Sequence, residues 1–401
     1  MMAVLSSPTQ AESFNLSSGY RMPPKFQNDL GNSMRIAQVA PLYESVPPKY
    51  YGGTERVASY LTEELVQQGH DVTLFASGDS VTKARLVAAC RRSLRLDKHC
   101  SDQLAHHIVL MEQVFEHVNE FDVVHFHVDY LHFPLSRRQP ISQVTTLHGR
   151  LDIPDLVPLY QLFREMPVVS ISDAQREPLP WANWQATVYH GVPEDLYRFR
   201  GQPGSYFAFL GRISPEKRVD RAVEIARQVR MPLRIAAKVD RVDKDYFEGV
   251  VEPLLRDPLV DFVGELGDGE KDEFLGNAYA LLFPIDWPEP FGLVMIEAMA
   301  CGTPIIAYRG GAVPEVMEEG RTGFIVRELE DAVAAARRVR ELSRDRCREV
   351  FEKRFTSRRM ASDYLQVYER IICQKSAFTT SPPLPGFRSI VDRVAHSAVP
   401  G

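Results

Sequence analysis

Two carboxylates, with seven residues between them, bracket the segment Glu289-Pro290-Phe291-Gly292-Leu293-Val294-Met295-Ile296-Glu297-Ala298-Met299-Ala300-Cys301-Gly302. Pro288 and Pro290 cannot continue a helix, so a loop ends there. The apolar run after it predicts a helix over 293–301, with Gly302 suited to its C-terminal cap. Gly292 carries no side chain, so a ligand can approach the backbone. The start of such a helix offers unpaired N–H groups and a positive dipole end, a natural seat for phosphate. Glu289 lies just before that seat and Glu297 just over a turn inside it, where carboxylates can accept hydrogen bonds from the hydroxyls of a sugar.

A second segment, Phe209-Leu210-Gly211-Arg212-Ile213-Ser214-Pro215-Glu216-Lys217-Arg218, reads as a strand running into Gly211. A loop follows, then a helix opened by Ser214 as N-cap with Pro215 at its first position. Arg212 and Lys217 flank this turn. An arginine fork and a lysine point charge together suit a diphosphate.

These segments sit in a regular alternation. Apolar strands are expected at 35–40, 72–76, 122–126, 144–147 and 168–171, and again at 206–210, 233–237, 260–263, 280–283, 304–307 and 324–326. Helical patterns fill the gaps, the first with Val57, Leu61 and Leu65 on one face. Strands separated by helices mean parallel sheets, and strands apolar on both faces mean sheets covered on both sides. The fold class is therefore α/β, with two doubly wound domains at 34–195 and 196–356. Ligands of such sheets bind beyond the carboxyl ends of the strands, which places the site in the cleft between the domains. A last helix, 357–373, carries Tyr364, Val367, Tyr368 and Ile371 on one stripe; it packs on its own domain or crosses back to the first. Residues 1–33 and 374–401 are polar and aperiodic and are expected to be disordered tails.

The two segments, with Gly52-Gly53-Thr54-Glu55, Asp122-Val123-Val124-His125-Phe126-His127, Thr146-Leu147-His148-Gly149, Ser170-Ile171-Ser172 and Gly310-Gly311-Ala312-Val313-Pro314-Glu315, resemble glycosyltransferase family 4, the "group 1" glycosyltransferases. The resemblance runs over about 34–370 in the family's order. It implies the GT-B fold, two Rossmann-like domains facing across a cleft, and transfer of a hexose-type sugar from a nucleotide-sugar, UDP-sugar being the expected donor, with retention of configuration. It further implies that Arg212, Lys217 and the N–H groups around Gly211, Gly292 and Leu293, beside Phe291, bind the donor diphosphate. By the same resemblance Glu297 holds the ribose and Glu289 the transferred sugar. Gly53 approaches the phosphate from the opposite domain, His148 sits near the anomeric carbon, and the backbone at Val263-Gly264 recognises the base. Arg212, Lys217, Glu289 and His148 are the expected catalytic set.

Other candidates weigh less. His125 and His127 share a strand face, with His132 beyond, but nothing completes a metal site; His127 is expected as an acceptor contact instead. Asp243-Lys244-Asp245 spells the D-x-D of metal-dependent transferases, yet Arg212 and Lys217 already supply the positive charge, so the two aspartates are expected to favour a helix start. Tyr51 and the polar-aromatic loop 43–51 before it are expected on the acceptor side, and Lys238 is a further possible phosphate contact. No metal or other cofactor is expected; the nucleotide-sugar is a co-substrate. The acceptor is a small molecule, a lipid or a glycan. The alternatives are a sugar-nucleotide-binding protein without transferase activity and a GT-B epimerase.

Composition excludes several classes. The 401 residues hold 47 basic and 53 acidic side chains, a net charge of −6, which argues against nucleic-acid binding by bulk charge. Five scattered cysteines with no C-x-x-C pair suggest free thiols in a reducing compartment. No segment has the roughly 18 apolar residues of a membrane span. The start shows no leader pattern, so a cytoplasmic protein is expected.

Overall fold

The computed structural model describes residues 33–95 and 97–379. The expected tails lie outside that range, save Ser33 and 374–379. The first sheet contains β1 (Arg35–Val39), β2 (Asp71–Ser77), β3 (Arg85–Cys90), β4 (Val123–Phe126), β5 (Gln143–Thr146), β6 (Val168–Ser170) and β7 (Trp184–Thr187). Its order is β3-β2-β1-β4-β5-β6-β7, and every pairing is parallel. The second sheet contains β8 (Phe207–Ile213), β9 (Leu233–Val239), β10 (Val260–Gly264), β11 (Ala280–Phe283), β12 (Ile305–Tyr308) and β13 (Gly323–Val326). It is also all parallel, in the order β10-β9-β8-β11-β12-β13. The order reverses between β1 and β4 and again between β8 and β11. Those two switch points open the crevices that such sheets use for ligands.

The central strands are apolar on both faces and buried, from Ile36 and Val39 in β1 to Phe207 and Ile213 in β8. Helix Gly53–Gln67 covers the first sheet with buried Val57, Leu61 and Leu65. β3 and β7 were not anticipated. They are edge strands that are only partly buried; β7 is interrupted by Gln185, whereas β3 does hold an apolar run, Leu86–Cys90, that lies at the sheet edge.

The last helix, Ser357–Thr379, runs past residue 373 because 374–379 contain neither proline nor glycine to stop it. Its buried Tyr364 and Tyr368 bond to Thr146 and Gln38 of the first sheet. Ser357 Oγ donates to Glu64 of helix Gly53–Gln67 at 3.1 Å. The two crossings between domains lie side by side, with Val192 bridging Thr356.

The turn after β8 differs from the expected helix start. Pro215–Lys217 forms a single 3-10 turn, Arg218 is left-handed at φ 52°, and the helix begins only at Val219. Ser214 makes no capping bond through its side chain. The break is held by Arg218, whose guanidinium pairs with Asp220 at 2.8 Å and Asp286 at 2.9 Å. The Glu216 carbonyl accepts from Asp286 N at 2.8 Å, so the turn is tied to the chain leaving β11.

Candidate active site

A cleft of about 950 Å³ lies beyond the carboxyl ends of both sheets, lined from both. Its second-domain wall starts at Gly292, left-handed at φ 85°, which turns the loop into helix Leu293–Ala300. The left-handed backbone favours glycine, and a Cβ there would also push aside the Met295 terminal methyl, 2.7 Å away. The helix start is open to the cleft, as are Gly211, Phe291 and Leu293. Gly53, at the head of helix Gly53–Gln67, faces it from the first domain: a Cβ on Gly53 would sit 3.7 Å from Leu293 Cδ1. Arg56 of the same helix crosses to the second domain, pairing with Asp268 and donating to the Tyr50 carbonyl at 2.6 Å.

Arg212 and Lys217 line the same cleft as this helix start. Arg212 bonds to Glu216 at 2.5 Å and lies 3.5 Å from Asp243 and 3.9 Å from Asp240. Asp243 and Asp245 do stand at a helix start, Asp243 at the N-cap position and Asp245 in the first turn of Lys244–Tyr246; the Asp243 side chain makes no capping bond and lies beside the Arg212 guanidinium. Lys217 pairs with Glu289 and lies 4.8 Å above the Trp287 ring. Trp287 Nε1 donates to the same carboxylate oxygen, Oε2, at 2.9 Å. Glu289 Oε1 makes no hydrogen bond among the described residues and is left for a ligand. Glu297 is buried to 2% exposure, 3.4 Å from Lys271 of helix Asp268–Gly276.

The first-domain wall holds His148 within a chain of bonds. Gln38 Nε2 donates to the Tyr368 hydroxyl at 3.0 Å, which turns the Gln38 carbonyl oxygen toward His127 Nε2 at 2.8 Å. His127 Nε2 thus carries the proton, and its Nδ1 accepts from His148 Nε2 at 2.9 Å. His148 is left with Nδ1 as a bare acceptor, suited to a hydroxyl. Burial lowers its pKa to about 3, so the ring is neutral. Burial likewise holds His125, His127 and His190 well below the usual imidazole range.

His127, expected as an acceptor contact, lines the cleft with both of its nitrogens bonded, one to Gln38 and one to His148, whose ring it orients. Val263 and Gly264 were expected to read the base. β10 changes register between Phe262 and Gly264, and the chain reaches the cleft at Glu265 and Leu266. Tyr51 does line the cleft, its ring 5.0 Å from Lys238 Nζ, while Lys238 itself pairs with Asp240 at 2.6 Å.

Trp287, Lys271 and Glu55 also line the cleft and were given no role from sequence. Trp287 had a signal, an aromatic ring set into the same proline-rich loop as Glu289. Lys271 had none, because only the packing of helix Asp268–Gly276 brings it to Glu297. Glu55 stands in the quoted Gly-Gly-Thr-Glu motif; it is 4% exposed and burial raises its carboxyl to about 7.

The family model described as "Glycosyltransferase Family 4" matches residues 51–210, and "Glycosyl transferases group 1" matches residues 200–358. The chain is 35% identical over 101 residues to N-acetyl-alpha-D-glucosaminyl L-malate synthase of Bacillus anthracis, 23% of this chain and 26% of that protein. It is 34% identical over 186 residues to D-inositol 3-phosphate glycosyltransferase of Streptomyces avermitilis, 40% of this chain and 39% of that one. The chain thus spans about a quarter to two fifths of the length of these curated relatives. The crystal structure of Anabaena HepE in complex with UDP and glucose superposes with a TM-score of 0.65 at 16% identity, over 84% of this chain and 100% of that one. That likeness fixes the GT-B fold, and the two family models together run from residue 51 to residue 358: the chain belongs to the group 1 glycosyltransferases of family 4.

Proposed function

We propose that this protein transfers a hexose from a UDP-sugar to an acceptor hydroxyl, with retention of configuration and without a divalent metal. The observation that carries this reading is that Arg212, Lys217, the start of helix Leu293–Ala300, Glu289 and Glu297 all line one cleft, with Lys217 paired to Glu289. The bond from the anomeric carbon to the diphosphate breaks, and negative charge grows on the departing oxygen. Groups already aimed at that charge favour the transition state over the ground state. The acceptor oxygen bonds to the anomeric carbon on the face the diphosphate leaves, and its proton passes to a diphosphate oxygen. No carboxylate pair is needed as nucleophile and acid/base in the glycosidase manner. Glu289 Oε1 and His148 Nδ1 receive sugar hydroxyls from opposite walls, and Glu297 receives the ribose. HepE, which was crystallised with UDP and glucose, supports uracil and a hexose. The acceptor enters along the first-domain wall by Tyr51; a small molecule, a lipid and a glycan all remain within the proposal. The proposed compartment is the cytoplasm, where the five unpaired cysteines stay reduced. Among the described residues, no helix is long and apolar enough to cross a membrane.

The test is thermal-shift screening with UDP, GDP, ADP and their sugars, followed by donor-hydrolysis and transfer assays. UDP and one UDP-hexose should raise the melting temperature, and that donor should turn over. Preference for another base overturns the donor. Tight binding with no turnover across an acceptor panel overturns the transferase reading in favour of a binding protein.

A further inference from the structure

The Gly310–Glu315 segment follows β12 and takes no part in the chemistry above, yet it touches both walls of the cleft. On the second-domain side, Ala312 N donates to the Glu289 carbonyl at 2.8 Å. Gly311 is left-handed at φ 49°, and any Cβ there would collide with the Glu289 backbone. One turn on, Glu315 reaches across to the first domain. Its Oε1 accepts from Ala174 N and its Oε2 from Asp173 N, both at 2.7 Å; the Tyr189 hydroxyl adds a bond of 3.1 Å. Two backbone N–H groups meet a single carboxylate, in the manner of a charged N-cap supplied by the other domain.

The turn so capped, Ala174–Arg176, contains Gln175, which is 5% exposed. Its Nε2 donates to the Leu147 carbonyl at 2.8 Å and to the Gly149 carbonyl at 2.7 Å, the carbonyls of the residues before and after His148. Its Oε1 accepts from Ile171 N at 2.9 Å, so the carboxamide is fully committed and cannot swing. His148 is thereby fixed by its backbone through Gln175, and Gln175 by the turn that Glu315 caps.

We infer that Glu315 is a positioning residue that keeps His148 in register with Glu289 across the gap between domains. This inference rests on the proposed function, since it gives both residues to the migrating sugar. The logic is geometric. Glu289 and His148 belong to different domains, and neither bonds to the other. The Gly310–Glu315 segment is held to the loop of one and, through Gln175, to the loop of the other. Removing the Glu315 carboxylate frees two N–H groups and lets the His148 loop drift relative to the donor. It leaves Arg212, Lys217 and Glu297 untouched. A misplacement of about 1 Å at a reacting centre costs on the order of 10²-fold in rate.

The test uses full-length Glu315→Gln, Glu315→Asp, Gln175→Met and the Glu315→Gln/Gln175→Met double variant. Glutamine offers one oxygen where two N–H groups wait. Aspartate keeps the charge but is too short to span both, so it should lose less. Measured are donor kcat and KM, UDP Kd by calorimetry, and the His148 ring signal by NMR, assigned by its loss in His148→Asn. Expected for Glu315→Gln are a kcat lower by about 10²-fold, a UDP Kd within twofold of the parent and a displaced His148 signal. The double variant should be little worse than either single one, because both cut the same arm. An unmoved His148 signal, multiplying losses in the double variant, or UDP affinity falling as far as kcat would each overturn the inference. If the parent protein turns over no donor, the proposed function fails by itself, and the His148 signal still decides the role of Glu315.

Discussion

The pairing of Lys217 with Glu289 makes opposite predictions for the two partners. Lys217 is the cation aimed at the departing diphosphate, but before the donor arrives it is bound to Glu289, with side-chain exposures of 17% and 10%. A unit charge about 4 Å from a phosphate oxygen, at an effective dielectric of about 20, gains about 4 kcal/mol. Loosening the existing pair, neither fully exposed nor sealed, returns about 1 kcal/mol of that. The net, about 3 kcal/mol, corresponds to a loss of about 10²-fold in kcat/KM for Lys217→Gln, at the lower end of the cost of one charge-stabilising group. Glu289→Gln removes the internal competitor instead. Free UDP should then bind about three- to tenfold tighter, because Lys217 is released to the diphosphate. Turnover should nonetheless fall, since the carboxylate that receives the sugar hydroxyls has become an amide. The assay is UDP Kd by calorimetry beside donor kcat and KM for both variants. UDP binding weakened threefold or more in Glu289→Gln would refute the competition argument. UDP binding unchanged in Lys217→Gln would remove Lys217 from the diphosphate site altogether.

Two further outcomes are expected. Activity should survive EDTA, and Asp243→Asn should change kcat/KM by less than about threefold, because Asp243 serves Arg212 from behind; activity abolished by chelation and restored by Mn²⁺ would reverse this. The rings of His125, His127, His132 and His190 are buried and that of His148 is half-buried at the cleft wall; all five are neutral, with pKa values lowered by desolvation. Below the unfolded histidine pKa of about 6.5 the unfolded chain binds more protons, so stability is full above that pH and is lost as pH falls. The melting temperature should drop between pH 7.5 and pH 5.5 with uptake of more than one proton on unfolding; a flat profile would contradict the buried, neutral state.

The second-domain wall was legible because its parts are neighbours in the chain. Gly211, Arg212 and Lys217 fall on one turn, and Glu289, Gly292 and Glu297 on one loop and helix, so spacing alone brings each set together. The inner strands were legible for a similar reason: each is a short apolar run with its own turn signals. β7 was not, since this half-exposed edge strand is broken by Gln185; β3 has the run, Leu86–Cys90, but follows β2 with no helical pattern between them to mark it as a separate strand of the alternation. The first-domain wall was least legible. His127 was visible as a polar residue on an apolar strand, but its role depends on Gln38 and on Tyr368, and the bond between those two spans 330 positions. No local pattern encodes such a contact. Lys271 and the bond from Glu315 to Ala174 are hidden for the same reason.

That contrast follows from what the two walls must do. A diphosphate is recognised by charge and by backbone N–H groups, and a turn and a helix start provide both locally. A neutral imidazole set opposite the sugar needs something else: a fixed tautomer and a fixed ring plane, with no charge to guide it. Each nitrogen of His127 is therefore bonded, and the Gln38 carboxamide is oriented by a tyrosine from the far end of the chain. The last helix, though it follows the second domain in sequence, thus helps to build the first-domain half of the site. Its Tyr368 hydroxyl accepts from Gln38 and so donates to His125 Nδ1 at 2.8 Å; one hydroxyl sets the direction of the bonds to both β1 and β4. The helix return beside Val192 and Thr356 is therefore more than a covering for the sheet. It is the element that fixes which nitrogen of His148 carries the proton.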